Sequence, residues 1–459
     1  MHTSDEVSAT DPWAMRAKTA PEWAKHLVIY ELNPRGFTSP HGVGDGSGSG
    51  TFASLEEKLP YLRDLGVNAL WLAGHHEATK HFYGVWSVYA VRRPDVIDPV
   101  LGTEDDFRRL IRVAREHGIR IFLDVIAHGV LHDSPLVAEH PEWFPTSSWQ
   151  MADYDYQNPE FRSWWVALWT KYALDYGVDG FRIDVLMGDV ELWDEIVEAC
   201  RAGGKEIVVF PEIERYHFSQ QDNQGTPRDV YREIHIDDIV GVPRGLASAQ
   251  ISCHDYGWEN LPGNHYFAQG SRARMAHISL LAPRIPLFFA GEEFNATPTP
   301  LPDLTQGLYG TGGPGGWLYG NRLDWSQLEL AHCADMLEDV RTMLRIRHEY
   351  RHLINGDSST MQIVPIPFDG ATPFVPYALV DEGVEAIVVV TNPAAAEVST
   401  MVRLPRARLG FDPDVHLRMT DLVSGLSEDI TDDTFAVSIG ADGTRGGGYR
   451  ALRLSPAQP

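Results

Sequence analysis

The chain has 459 residues, room for about three domains at roughly 150 residues each. Its 38 Lys+Arg against 64 Asp+Glu give a formal net charge of −26, which disfavours a nucleic-acid binder because phosphate neutralisation needs a basic surface. An apolar fraction of 43% with 13 Trp, 17 Tyr and 18 Phe excludes a disordered acidic tail protein, and three Cys with no CxxC spacing exclude a disulfide framework.

Residues 1–25 are polar and mixed in charge and read as an N-terminal segment. They lack the apolar core of a secretory signal, and no stretch approaches ~18 uninterrupted apolar residues. The expectation is a cytoplasmic protein with no membrane partner. From residue 26 a rhythm sets in of short β-branched runs, turns and amphipathic stretches. The predicted strands are Leu27–Leu32, Asn68–Leu72, Arg120–Ile126, Gly180–Val185 and Glu206–Phe210, then a sixth somewhere in Val230–Ile236, a seventh near Ala249–Cys253 and an eighth at Ile285–Phe289. Helices are predicted over Ser54–Leu65, Glu104–Glu116, Glu160–Asp175, Val190–Cys200 and Ser271–Ala282. In the second of these, Phe107, Leu110, Ile111 and Ala114 recur at i, i+3, i+4 and i+7, and Thr103 precedes them as a cap. Trp164, Trp165 and Trp169 sit at helical spacing and read as core.

Strands alternating with helices over residues 26–354 predict parallel βα units, and the count near eight predicts an α/β fold of the (β/α)8 TIM-barrel type. A doubly wound open sheet would alternate in the same way. The polar residues separate the two. Asp124, His128, Asp184, Glu212, His254 and Asp255 each stand at the C-terminal end of a predicted strand, and in a barrel those ends open onto one mouth. No GxGxxG loop follows any strand, so a dinucleotide site has no support. Residues 129–159 form a very short insertion after the third strand. Beyond a helix over Ala331–Tyr350 the texture changes. Residues 355–459 carry short strands at Met361–Ile366, Phe374–Val380, Ala386–Thr391, Met401–Leu404, Phe435–Ile439 and Tyr449–Leu454. Gly, Pro and Asp turns separate them, which predicts a C-terminal antiparallel β-sandwich. The Gly-rich run Gly307–Gly316 lacks a following Lys-Ser/Thr and reads as a rim loop, not a phosphate loop.

A lone Asp after a strand is commonly a turn or helix-cap residue. Here three carboxylates stand in distinctive strings: Gly180-Phe181-Arg182-Ile183-Asp184, Phe210-Pro211-Glu212 and Cys253-His254-Asp255. With Leu123-Asp124-Val125-Ile126-Ala127-His128 they form an ordered set that resembles the motifs of the α-amylase family, glycoside hydrolase family 13. Tyr83-Gly84-Val85, Asp98-Pro99, Gly102-Thr103-Glu104-Asp105 and Gly291-Glu292 match flanking family strings, and the resemblance covers Leu27 to Tyr350. It implies that Asp184 is the nucleophile, Glu212 the acid/base and Asp255 the stabiliser of an oxocarbenium-like transition state in a retaining mechanism. Retention would place the carboxyls of Asp184 and Glu212 roughly 5–5.5 Å apart. Glu212 must start protonated, so its surroundings should raise its pKa. Residues i and i+2 of a strand share a face, so Arg182 can lie beside Asp184 and keep it ionised, with Asp124 in support. The resemblance also implies that His128 and His254 hydrogen-bond the innermost sugar and that Tyr83 stacks on it. Trp86, Trp258 and Trp317 are candidate sugar platforms. The implied partner is a small neutral carbohydrate, with no cofactor.

Four features depart from the family pattern. Position 127 is Ala where many members carry a calcium-ligating Asn; without a side-chain oxygen, no metal is expected there. The insertion at 129–159 is a stub. Val185-Leu186-Met187-Gly188 lacks the Lys-His that many α-amylases use to hold the reducing-side sugar, which points away from a long-polymer endo-amylase. Finally, Ile234 to Ala249 is short for a sixth strand and helix. The leading expectation is a retaining α-glycosidase on short α-glucosides. An α-glucosyl transferase or isomerase would use the same residues. A non-catalytic binding or scaffold relative would lose the acidic residues and bring a membrane span.

Overall fold

Short apolar segments of the first 290 residues line up in parallel as one sheet. The computed structural model describes residues 21–39, 48–80, 86–148, 150–184, 190–211, 247–250, 254, 271–280, 284–296, 322–354, 361–369 and 376–457. Its strands are β1 (Ile29–Leu32), β2 (Ala69–Leu72), β3 (His76–Lys80), β4 (Trp86–Ile97), β5 (Arg120–Ile126), β6 (Gly129–Leu131), β7 (Thr146–Ser148), β8 (Met151–Asp153), β9 (Gly180–Asp184), β10 (Val208–Pro211), β11 (Ala247–Gln250) and β12 (Arg284–Phe289). The main sheet runs β10-β9-β5-β2-β1-β12-β11, parallel throughout. Counted along the chain, that order is fifth, fourth, third, second, first, eighth, seventh: the circular order of a (β/α)8 barrel. The segment between the two edge strands, 212–246, carries the predicted sixth strand and lies outside the described residues.

The two-residue period of each strand sorts its side chains. Tyr30, Leu70, Leu72, Ile121, Leu123, Val125, Phe181 and Ile183 point to one side and join the large core against the helices. On the other side, Ile29, Ala69, Trp71, Phe122, Val208, Phe210, Ile285 and Leu287 make a separate apolar floor. One period further along these inner faces the residues become polar: Glu31, Asp124, Arg182 and Asp184. Gly180 takes the inner position below Arg182 because nothing larger fits. A Cβ there would lie 2.7 Å from the Phe122 ring and 1.9 Å from the Val208 carbonyl oxygen. Below the floor, a short turn at Glu22–His26 buries Ala24, and the Arg120 guanidinium lies 3.8 Å over the Trp23 ring. The end of the expected N-terminal segment therefore packs on the sheet.

The helices follow the sequence pattern with one break. The predicted helix over Ser54–Leu65 is two pieces, Phe52–Glu56 and α1 (Leu59–Leu65), because Pro60 has no N–H to continue the ladder. Next come α2 (Glu104–Glu116), α3 (Pro159–Lys171), α4 (Val190–Ala202), α5 (Ser271–Leu280) and α6 (Ala331–Glu349). In α2 the Thr103 hydroxyl accepts from Asp106 N at 3.1 Å and Asp106 Oδ2 accepts from Thr103 N at 2.9 Å, a reciprocal cap worth about 1 kcal/mol. Trp165 and Trp169 of α3 are buried, as their spacing suggests. The β3–β4 hairpin was not anticipated; its long second strand mixes polar and apolar residues without a clean period. The stub after β5 holds a three-stranded antiparallel sheet, β6-β8-β7.

Residues 361–456 carry β13 (Met361–Pro365), β14 (Phe368–Asp369), β15 (Tyr377–Asp381), β16 (Glu385–Thr391), β17 (Val398–Arg403), β18 (Leu417–Asp421), β19 (Ser427–Ile430), β20 (Thr434–Ile439) and β21 (Tyr449–Pro456). They pair as a six-stranded sheet, β13-β15-β16-β21-β18-β19, and a three-stranded sheet, β14-β17-β20, both antiparallel. Val380, Val388 and Leu454 of the first meet Val402, Val437 and Ile439 of the second, so the two form a sandwich. The opposite face of the larger sheet, with Tyr377, Leu379, Ile387 and Val389, joins the same core as α5 and α6. Among the described residues no helix is long and apolar enough to cross a membrane.

Candidate active site

The polar layer above the apolar floor is one connected set of hydrogen bonds. Parallel pairing puts Arg182 of β9 in register with Asp124 of β5. From there, Arg182 Nη1 donates to Asp184 Oδ1 at 2.7 Å and to Asp124 Oδ1 at 3.0 Å. One guanidinium thus serves two buried carboxylates, and its other face lies 4.9 Å from the Trp71 ring centre. Asp124 Oδ2 accepts from Trp71 Nε1 and from the Tyr89 hydroxyl, both at 3.2 Å. On the far side of Asp184, His128 Nε2 stands 3.6 Å from Oδ2.

His254 closes the layer toward β1. Its Nε2 is 2.6 Å from the Tyr89 hydroxyl, and its Nδ1 bonds to Glu31 Oε1. Tyr89 stacks on the imidazole at 5.4 Å, while Trp71 meets it edge-on at 5.7 Å. Glu31 is fully buried, and that burial pushes its carboxyl pKa up; the neighbouring His254 opposes the shift. The five polar strand-end residues Asp124, His128, Arg182, Asp184 and His254 therefore lie together.

Other candidates are placed differently. Trp86 begins β4 and is only 3% exposed, with the Arg35 guanidinium 4.1 Å over its ring; the expected sugar platform is here a packed ring. Glu212 is the residue after Pro211, which ends β10. Glu212, Asp255, Tyr83, Trp258 and Trp317 lie outside the described residues, and with Glu212 so does the expected carboxyl–carboxyl spacing. At Ala127, the backbone carbonyl accepts from the Tyr156 hydroxyl at 2.6 Å. Tyr156 itself packs edge-on against Phe161 and Trp165 of α3.

Three members of the layer were missed by sequence reasoning: Glu31, Trp71 and Tyr89. Glu31 had a signal. It is the one charged residue in the apolar run Leu27–Leu32, near the end of a barrel strand, where a charge suggests the mouth. Tyr89 had none, because the strand that carries it has no readable period.

A further buried carboxylate sits on the helix side of the sheet. Glu293 follows β12 and accepts from the hydroxyls of Tyr30 at 2.9 Å and Tyr61 at 2.7 Å and from Gly291 N at 3.0 Å. Burial outweighs these donors and pushes its pKa up to about 7.

The model of the family described as "Alpha amylase, catalytic domain" matches residues 34–134. An α-glucosidase from Culex pipiens is 28% identical over 221 residues, which cover 38% of this chain and 36% of that protein. An intracellular maltogenic amylase from Bacillus subtilis is 26% identical over 245 residues, 44% of this chain and 40% of that one. The matched region is thus about two fifths of the length of these relatives. Among solved structures, a maltogenic α-amylase from Thermotoga neapolitana superposes with a TM-score of 0.69 at 19% identity, covering 94% of this chain and 99% of that one. That likeness extends the barrel and C-terminal β arrangement over nearly the whole chain. Sequence motifs, strand order and these matches agree: the chain is similar to the α-amylase family of glycoside hydrolases, over residues 34–134 in sequence and over nearly the whole chain in fold.

Proposed function

We propose that the chain is a retaining α-glycoside hydrolase acting on short, neutral α-glucosides. The observation that carries this reading is the Arg182 guanidinium, which bridges Asp124 and Asp184 at the inner end of β9. A buried carboxylate held by one arginine is kept anionic and aimed, as a nucleophile must be.

In this reading Asp184 attacks the anomeric carbon while Glu212 gives its proton to the departing glycosidic oxygen. The glycosyl–oxygen bond breaks as the glycosyl–Asp184 ester forms. Glu212, now a carboxylate, takes a proton from water, whose oxygen displaces Asp184 and restores the starting state. Asp255 would stabilise the positive charge that develops on the sugar. Carboxylates gathered at one mouth favour a neutral sugar over a phosphorylated one. The names of the two curated relatives, an α-glucosidase and a maltogenic amylase, support α-glucosides as substrates.

The test is turnover of p-nitrophenyl α-glucoside and a panel of α-linked disaccharides and maltooligosaccharides, with product identification. Free glucose with net retention is expected, and Asp184→Ala should reduce turnover to background. An unchanged rate in that variant would sink the assignment. A new glycosidic linkage as the main product would instead mark a transferase using the same residues.

A further inference from the structure

The peptide group that precedes Tyr89 is held at both ends by side chains, at a place where the β3–β4 ladder is irregular. Register between the two strands jumps from Ala78↔Val91 to Lys80↔Trp86, so residues 87–90 of β4 fall between paired positions. Such a bulge re-aims the side chains it carries. At its centre His76 Nε2 lies 3.0 Å from the Val88 carbonyl oxygen, and Tyr89 N donates to the Ser87 hydroxyl oxygen at 3.1 Å. The C=O and the N–H of one peptide group are thus both engaged, and His76 and Ser87 are both buried. Gly74, with a φ of 117°, lets the turn between β2 and β3 come this close. A Cβ there would lie 3.2 Å from the Trp86 ring and 3.5 Å from a Val88 methyl.

The surroundings of His76 settle its protons. A carbonyl oxygen can only accept, so Nε2 carries a hydrogen and donates it to Val88. Nδ1 is buried and meets no hydrogen-bond partner among the described residues. A second proton there would bury an unpaired N–H on a cation, so His76 is the neutral, Nε2-protonated form. Asp98 and Asp124 face the ring and favour its charged form, with Arg35 bonded to Asp98 at 2.7 Å; burial outweighs both and lowers the pKa. His75 covers the ring edge-on at 4.9 Å. It is itself enclosed by Phe107 from α2, Trp169 from α3 and Tyr172 just beyond α3. Neither of its nitrogens has a hydrogen-bond partner among the described residues, and burial keeps it neutral as well.

We infer that His76 is a positioning residue of this site: with Ser87 it fixes the Val88–Tyr89 peptide group and so aims Tyr89 at Asp124 and His254. The hairpin that carries Tyr89 is a separate two-stranded sheet, so no ladder of the barrel sets its place. His76 stands just past the end of β2, and its bond to Val88 ties the hairpin to a barrel strand over a short span. Tyr89 reaches the polar layer through its hydroxyl, 3.2 Å from Asp124 Oδ2 and 2.6 Å from His254 Nε2, and through its ring, stacked on the imidazole. Asp124 shares the Arg182 guanidinium with Asp184, so a displaced Tyr89 is felt at the candidate nucleophile. The hold on the peptide group stands by itself; its effect on rate rests on the glycosidase reading.

The experiment is nitrogen NMR of the full chain carrying 15N-labelled histidine, with the His76 and His254 signals identified by their loss in His76→Gln and His254→Gln. Wild-type His76 should be neutral and protonated at Nε2, and should remain so at about pH 5.5, below the ordinary histidine pKa. In His76→Phe, which keeps a ring and loses the donor, the His254 signals should move in the direction they take in Tyr89→Phe. His76→Gln, whose amide can donate to the Val88 carbonyl, should leave them in place. On an activated α-glucoside, kcat/KM per folded molecule should fall about 10- to 100-fold in His76→Phe and stay within about twofold in His76→Gln. In a Tyr89→Phe background, His76→Phe should cost less than about twofold more. A merely structural His76 would lower the rate by the same factor in both backgrounds and leave the His254 signals where they were. Should His76→Phe not fold, Ser87→Ala releases the other end of the peptide group and should move the same His254 signals. A wild-type His76 without a proton on Nε2, or His254 signals that stay in place in folded His76→Phe or Ser87→Ala, overturns the inference. If the NMR result is as expected and no α-glucoside is turned over, the hold on Tyr89 stands and the glycosidase reading fails.

Discussion

Replacing Arg182 by Met removes one cation and leaves Asp124 and Asp184 facing each other across its place. Both lie within 3.0 Å of a single nitrogen, Nη1, so the two carboxylates come within about 6 Å of each other. At an effective dielectric of about 20, two unit charges at that distance repel by about 3 kcal/mol. Breaking a buried ion pair from one side costs about 3–5 kcal/mol, mostly as uncompensated charge. The variant has a way to lower that cost, because one carboxyl can take up a proton. Its folded-state pKa would then lie above its unfolded value. Stability in the variant is therefore highest in acid and falls as pH rises through that folded pKa. The assay is urea unfolding of Arg182→Met and wild type at pH 5 and pH 8, followed by tryptophan fluorescence. The variant should lose about 3–5 kcal/mol at pH 8 and distinctly less at pH 5. A loss below about 1 kcal/mol, or one that does not depend on pH, would refute the claim that this guanidinium holds two buried carboxylates together.

Two further outcomes follow from single sites. Glu293 has a folded pKa of about 7, above its ordinary carboxyl value of 4.5, so its contribution to stability is intact in acid and lost as pH climbs between those values. That amounts to about 3 kcal/mol between pH 4.5 and pH 8, and Glu293→Gln should flatten the slope of melting temperature against pH; an unchanged slope would mean that Glu293 is ionised when buried. At Ala127 the backbone carbonyl is engaged by Tyr156 and no side-chain oxygen is offered, so treatment with EDTA should leave the melting temperature where it was. A fall of several degrees that calcium restores would contradict this.

The sequence by itself determined what depends on local pattern. Seven parallel strands appear within a few residues of their predicted places; most are short apolar runs between turn residues, though β11, Ala247-Ser248-Ala249-Gln250, is not. The α2 helix, Glu104–Glu116, has its predicted bounds because a strong apolar stripe and a Thr103 cap coincide. Arg182 lies against Asp184 because the two-residue period of a strand requires a shared face. β18 and β19 lie outside the predicted strands, since β18 buries only Leu417 and Met419 and the edge strand β19 only Ile430, which leaves little apolar pattern.

Only the tertiary structure decided which side chains meet across strands. Glu31 and His254 are separated by 223 positions, and nothing local to either announces the other. Tyr89 reaches Asp124 and His254 from a hairpin with no legible period, while Trp86, three residues earlier on the same strand, is packed under Arg35. The physical reason is that strand register in a parallel sheet is fixed by the closure of the whole sheet. Local sequence sets which face a residue takes; closure sets which partners it finds there.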